Sequence, residues 1–191
     1  FNAPSDSPSL TANLGDISWW GGVVTSKLDN LNVFFSAAAS KTDPNDNAPG
    51  GAGLLWDSFH PKESLTGTAF YLGGRYDINS TRTKIGAEYN HGSKNWIGMV
   101  PAADDVWTSK LGTRGDVYEA YIIQALKKSP ISKKGKAFFR LGYQYYKFDY
   151  TGSNNWVGAP VKISDIKATD LMLLAPMKYA QDIYATFEVH F

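Results

Sequence analysis

Six charged or polar side chains recur at alternate positions inside apolar segments. Arg75, Lys84, Glu88, Arg140, Gln144 and Glu188 each have mainly aromatic, aliphatic or glycine neighbours on either side. A period of two is the pleat of a β-strand, so such residues leave the chain on the face opposite their apolar neighbours. Gathered inside a wide barrel, they would line a polar path whose charges bias which solutes pass. In a narrow barrel they would pair with one another and fill the interior. Catalytic chemistry is not expected. His60, His91 and His190 are isolated, G-x-S-x-G is absent, and the Cys count is 0. The glycine run Gly50-Gly51-Ala52-Gly53 lacks the Lys-Ser/Thr that a phosphate cradle needs.

Asp43, Asn45, Asp46 and Asn47 offer oxygen donors at spacings that suit a hard cation such as calcium. No Glu closes that loop at the required distance, so they read as turn formers. No metal or cofactor is therefore expected. Lys127, Lys128, Lys133, Lys134 and Lys136 cluster at one turn. They read as a solvated basic hairpin, with anionic headgroups or a periplasmic partner as the functional alternative. Trp96, Trp107 and Trp156 fall between the periodic segments, where they suit the headgroup level of a membrane. Stacking on sugar rings is the sharper alternative.

The elements that carry these residues follow from alternation and turn chemistry. Strands are expected over 16–27, 31–40, 65–76, 81–91, 116–126, 136–150 and 183–191. The facing of the fifth is ambiguous, because Tyr121, Ile122 and Ile123 are apolar in succession. Residues 1–15 read as an irregular amino-terminal segment and 16–191 as a series of hairpins. A short helix is expected within 164–175, capped by Thr169-Asp170 and ended by Pro176. The connections alternate short, long, short, long, short, long. In an up-and-down sheet that parity puts all short turns at one end and all long loops at the other. Transmembrane barrels sort their connections this way, with short periplasmic turns and long extracellular loops.

Composition narrows the classes further. The 191 residues carry Lys+Arg 19 against Asp+Glu 18, a net charge of +1. That balance excludes binding driven by phosphate neutralisation, so no nucleic-acid partner is expected. Aromatic residues make up 14% of the chain, which suits strands and interfacial girdles. No apolar run approaches the roughly 18 residues of a membrane-spanning helix. The mean hydropathy of -0.30 looks soluble, but polar lumen positions and loops dilute a barrel's lipid face to the same value. Phe1 opens within a polar, Pro-rich segment, and a processed or truncated start is expected.

The last nine residues alternate without a fault. Ile183, Ala185, Phe187, Val189 and Phe191 share one face, and Tyr184, Thr186, Glu188 and His190 the other. The terminal set Phe187, Val189 and Phe191 resembles the assembly signal of bacterial outer-membrane proteins. With the hairpins from Asp16 onward, the chain resembles the carboxy-terminal portion of a porin-like barrel, from a family of outer-membrane proteins of unknown function. The resemblance implies an antiparallel, up-and-down transmembrane β-barrel, or part of a larger one, in the bacterial outer membrane. It implies lipid and the barrel-assembly machinery as partners, with an oligomer or a periplasmic protein as further ones. The expected function is passive diffusion of small solutes. The alternatives are a non-conducting barrel sheathing a partner such as an electron-transfer cytochrome, and a soluble β-barrel or sandwich that binds a ligand.

Overall fold

A computed structural model describes residues 12–47, 51–99, 108–126, 136–170 and 175–190. The described residues form β1 (Gly15–Leu28), β2 (Leu31–Pro44), β3 (Ala52–Gly53), β4 (Trp56–Asp57), β5 (Thr66–Ile78), β6 (Thr83–Gly92), β7 (Gly115–Ala125), β8 (Lys136–Phe148) and β9 (Tyr179–His190). The two-residue strands β3 and β4 pair as a small ribbon; the other seven build one sheet in the order β1-β2-β5-β6-β7-β8-β9. Every pair in that sheet is antiparallel, so it is a plain meander. The strand ends at Leu28 and Leu31, Ile78 and Thr83, and Ala125 and Lys136 lie at one end of the sheet, and those at Pro44 and Thr66, Gly92 and Gly115, and Phe148 and Tyr179 at the other. The sheet is open: β1 and β9 are edges, and it does not close on itself.

The two faces differ sharply. Register carries Val24, Phe35, Leu72, Tyr89, Tyr118 and Tyr145 across one row of one face. Another row of that face runs Leu28, Leu31, Tyr76, Ile85, Ile122, Leu141 and Ala185. Among the described residues, Val23 is the one exposed large hydrophobic side chain of the strands that lies on the opposite face. Each such side chain is worth about 1.5–3 kcal/mol when fully removed from water. A contiguous set this large, even half exposed, outweighs or rivals the net stability of about 5–15 kcal/mol that a domain commands. A bare surface of this kind marks an interaction with something apolar.

Aromatic and polar rows bound the apolar face. Toward the long connections, the rings of Tyr89, Tyr118, Tyr145 and Tyr179 follow one another at centroid spacings of 5.0, 6.5 and 6.1 Å. One step beyond lies an ion-paired row: the Nδ1 of His91 is 2.9 Å from Asp116, and the ammonium of Lys147 is 3.3 Å from the same carboxylate. Toward the short turns, the hydroxyl of Thr83 donates to Oε1 of Gln124 at 2.8 Å. From Asp116 to Gln124 along β7, a rise of about 3.4 Å per residue gives about 27 Å.

The buried core sits behind the other face, under the long connections. Val117, Tyr146, Phe148 and Ala180 form its centre, with Ile163 packed on them. Leu54, Leu55, Trp96 and Ile97 are also buried. The expected helix does not appear among the described residues. Ile163–Asp165 is a 3₁₀ turn, a turn at 168–169 and a bend at 170 follow it, and Leu171 to Leu174 lie outside the described residues.

Candidate functional site

The polar face carries a network centred on two carboxylates. Register places Glu88 opposite Glu119, Glu119 opposite Gln144, and Gln144 opposite Asp182. Like charges directly across a strand pair repel. Cations therefore flank this pair. The guanidinium of Arg140 donates to Oε1 of Glu119 at 2.7 Å, and Gln144 Nε2 donates to Oε2 at 3.1 Å. Tyr184 also donates its hydroxyl to Glu119, and Tyr71 donates to Glu88.

Glycines make the network possible. Gly86 and Gly142 lie on this face, and the ring of Tyr121 covers the first while the ring of Tyr184 covers the second. A β-carbon at either glycine would collide with the ring. The rings are thereby laid flat on the sheet, and Arg140 lies between them, 4.1 Å from the centroid of Tyr121 and 5.2 Å from that of Tyr184. These distances allow favourable cation–π contact.

A fourth charge comes from residues 108–114, which with 93–99 pack over the polar face. Lys110 opens a 3₁₀ turn, Lys110–Gly112, and its ammonium reaches Glu88 at 2.5 Å and Glu119 at 2.6 Å. Burial opposes the charge on Lys110, but the two carboxylates outweigh it and hold the ammonium above the ordinary lysine value. The connection is seated by its backbone. Asn90 donates to the carbonyl of Lys110 at 2.6 Å, Trp19 to that of Ile97 at 2.8 Å, and Trp96 to that of Leu111 at 2.7 Å.

Arg114 ties the connections to each other. It is 1% exposed and donates to the carbonyls of Trp96, Thr151, Gly152 and Asn155 at 2.7–3.1 Å. Burial pushes its guanidinium down to about 10, still protonated at neutral pH. A second tie is Asp57, which accepts from His60 at 2.8 Å, from the Phe59 amide at 2.9 Å and from the Ala159 amide at 3.2 Å.

The six polar strand residues singled out by alternation all lie on this one face. Glu88, Arg140 and Gln144 meet in the network. Arg75 is apart from it, donating to Asp77 at 2.9 Å, and Lys84 faces Asp77 in register. Glu188 is also apart, 3.4 Å from His190. Alternation missed Glu119 and Lys110. Glu119 lies on a strand with apolar residues on both faces, and Gly86, which seats Tyr121, is the signal that assigns its side. Nothing in the local pattern marks Lys110, whose place depends on how its connection folds.

The remaining candidates separate. Phe187 and Val189 lie on the apolar face of β9, and Phe191 is outside the described residues. The calcium candidates do not converge. Asp43 accepts from Ser64 at 2.8 Å, Asp46 pairs with Lys62, and Asn45 accepts from the Asn47 amide at 3.0 Å. Among the described residues, no group of three or more acidic or histidine side chains is placed to hold a metal. Trp96 is buried and hydrogen-bonded, so it is not an interfacial anchor. Trp156 lies beside Trp19 at 6.4 Å, and Trp107 is outside the described residues. Of the basic turn, Lys136 alone is described, at the start of β8.

A family model described as a protein of unknown function, DUF3373, matches residues 2–191. The chain belongs to this family. No curated protein and no solved structure matches it. DUF3373 membership agrees with the expectation of a family without a known function.

Proposed function

We propose that the chain builds part of a bacterial outer-membrane β-barrel whose polar face lines a water-filled path for passive diffusion of small solutes. One observation carries this reading: the exposed apolar side chains gather on one face, while charge, glycine-seated rings and folded-back connections occupy the other. Hydrocarbon solvates the first face and water the second. The Tyr89–Tyr118–Tyr145 row then lies at one headgroup level, with the Asp116 ion pairs just outside it. Arg75, Lys84, Glu88, Arg140, Gln144 and Glu188 face the lumen.

The open sheet fits a larger barrel. An antiparallel meander of seven strands has β1 and β9 running in the same direction. Closure between them would need parallel pairing. An odd number of further strands, from polypeptide outside this sheet, completes an even barrel with antiparallel pairs throughout. In this reading Phe187, Val189 and Phe191 form the segment that the assembly machinery recognises.

Reconstitution into a planar lipid bilayer tests the function. Discrete, long-lived conductance steps are expected. A protein that inserts stably, with its long connections on one side, and yet insulates the bilayer would overturn passive diffusion.

A further inference from the structure

We propose that Lys110 is a tethered occupant of an ammonium seat on the polar face, and that it sets the charge selectivity of the path. The inference rests on the reading of that face as a lumen. The ammonium of Lys110 lies 2.5 Å from Glu88, 2.6 Å from Glu119 and 4.9 Å from the ring centroid of Tyr71. An ammonium has three donors and no acceptor. Two carboxylate oxygens and an aromatic face satisfy its hydrogen bonds and its charge.

Groups other than its occupant also hold the seat. Arg140 and Tyr184 hold Glu119 from the far side, and Tyr71 holds Glu88. Removing the lysine charge therefore leaves both carboxylates in place. With Lys110 present, Glu88 and Glu119 are balanced by Lys110 and Arg140. Without it, the same site carries one net negative charge and a space shaped for a primary ammonium. A largely buried ion pair is a weak source of stability, since desolvation consumes most of the Coulomb gain. Selectivity gives the pair a role that stability does not. A solute with a primary ammonium, such as a diamine, competes for the seat, and the side chain of Lys110 keeps it out.

The test compares the wild type with Lys110→Met, Lys110→Arg and Glu88→Gln in bilayers under a potassium chloride gradient. Lys110→Met is expected to raise the cation-to-anion permeability ratio about tenfold, and Lys110→Arg to leave it near the wild-type value. Glu88→Gln leaves a cation uncompensated and is expected to shift the ratio toward anions. In detergent, 1,5-diaminopentane is expected to raise the melting temperature of Lys110→Met but not of the wild type. It should not raise that of Lys110→Met combined with Glu119→Gln. Unchanged ratios in both Lys110→Met and Glu88→Gln would overturn the proposal. So would folded Lys110→Met that fails to bind the diamine. If Lys110→Met does not fold, Glu88→Gln decides alone. A wild type that never conducts defeats the channel reading instead, and diamine binding in detergent still decides the seat.

Discussion

The carbonyl of Thr113 lies against Gly92, in the space that a β-carbon would fill. Gly67 is covered in the same way by the backbone of Asn95 and Trp96. These two glycines let the backbone at Asn95, Trp96 and Thr113 rest directly on the polar face. Gly92→Ala must lift that backbone and is expected to cost about 1–3 kcal/mol. Gly22→Ala, on the other face with no atom within 4 Å, should change stability by no more than about 0.5 kcal/mol. Urea unfolding in detergent micelles measures both. Equal effects would show that the connection is not seated as described.

Arg114 offers a second lever on the connections. Arg114→Met removes donors to four carbonyls at once; that of Trp96 is left in buried surroundings, while that of Gly152 keeps the Asn155 amide at 2.7 Å. A loss of about 3 kcal/mol in local stability is expected, roughly a hundredfold in the population of the opened connections. Limited proteolysis of the folded protein should then cut within 93–114 and 149–178 about a hundred times faster. Unchanged cleavage would remove Arg114 as the tie between them.

The Asp57 clasp predicts a pH dependence. Burial favours the protonated carboxyl, but the bonds from His60, Phe59 and Ala159 outweigh it and hold Asp57 below its ordinary value of 3.8. A depressed carboxylate contributes stability above its unfolded value and loses it as pH falls through the folded one. Hydrogen exchange of the Ala159 amide, corrected for its intrinsic rate, should stay protected down to about pH 4 and lose protection below the lowered value. Loss of protection already near pH 6 would contradict the assignment, and Asp57→Asn should lower protection at neutral pH.

Depth on the apolar face predicts a contrast between neighbours in β9. Ile183 is 76% exposed and lies in the middle rows of that face, while Thr186 lies on the polar one. Ile183→Arg should cost about 2–4 kcal/mol in lipid, as a cation near the bilayer midplane does. Thr186→Arg should cost no more than about 0.5 kcal/mol. Refolding equilibria in phospholipid vesicles would show the difference, and a reversed order would place hydrocarbon on the wrong face.

Period-two patterning in most of the segments, together with the turn formers between them, was enough to locate all seven strands of the sheet. In β8, Phe139, Leu141 and Tyr143 against Arg140 and Gln144 left one choice of facing. In β7 the alternation fails, since Tyr121 and Ile123 are apolar on the polar face. Tyr121 lies there because its ring packs on Gly86 of the next strand, a cross-strand relationship that one strand's pattern does not contain. The site was half legible for the same reason. Side chains fixed by the pleat were assigned to a face, whereas Lys110 arrives through a connection whose path depends on the close approach at Gly67 and Gly92. Trp96 looked interfacial for want of that same path.

The central claim is that hydrocarbon covers the face of Leu141 and water the face of Arg140. With 0 native cysteines, single substitutions such as Phe139→Cys, Arg140→Cys, Leu141→Cys, Tyr143→Cys and Gln144→Cys can each carry one nitroxide in lipid vesicles. Collision with oxygen should peak at 139, 141 and 143, and collision with a water-soluble nickel complex at 140 and 144. The opposite phase, or equal access of the nickel complex to both sets, would contradict the account.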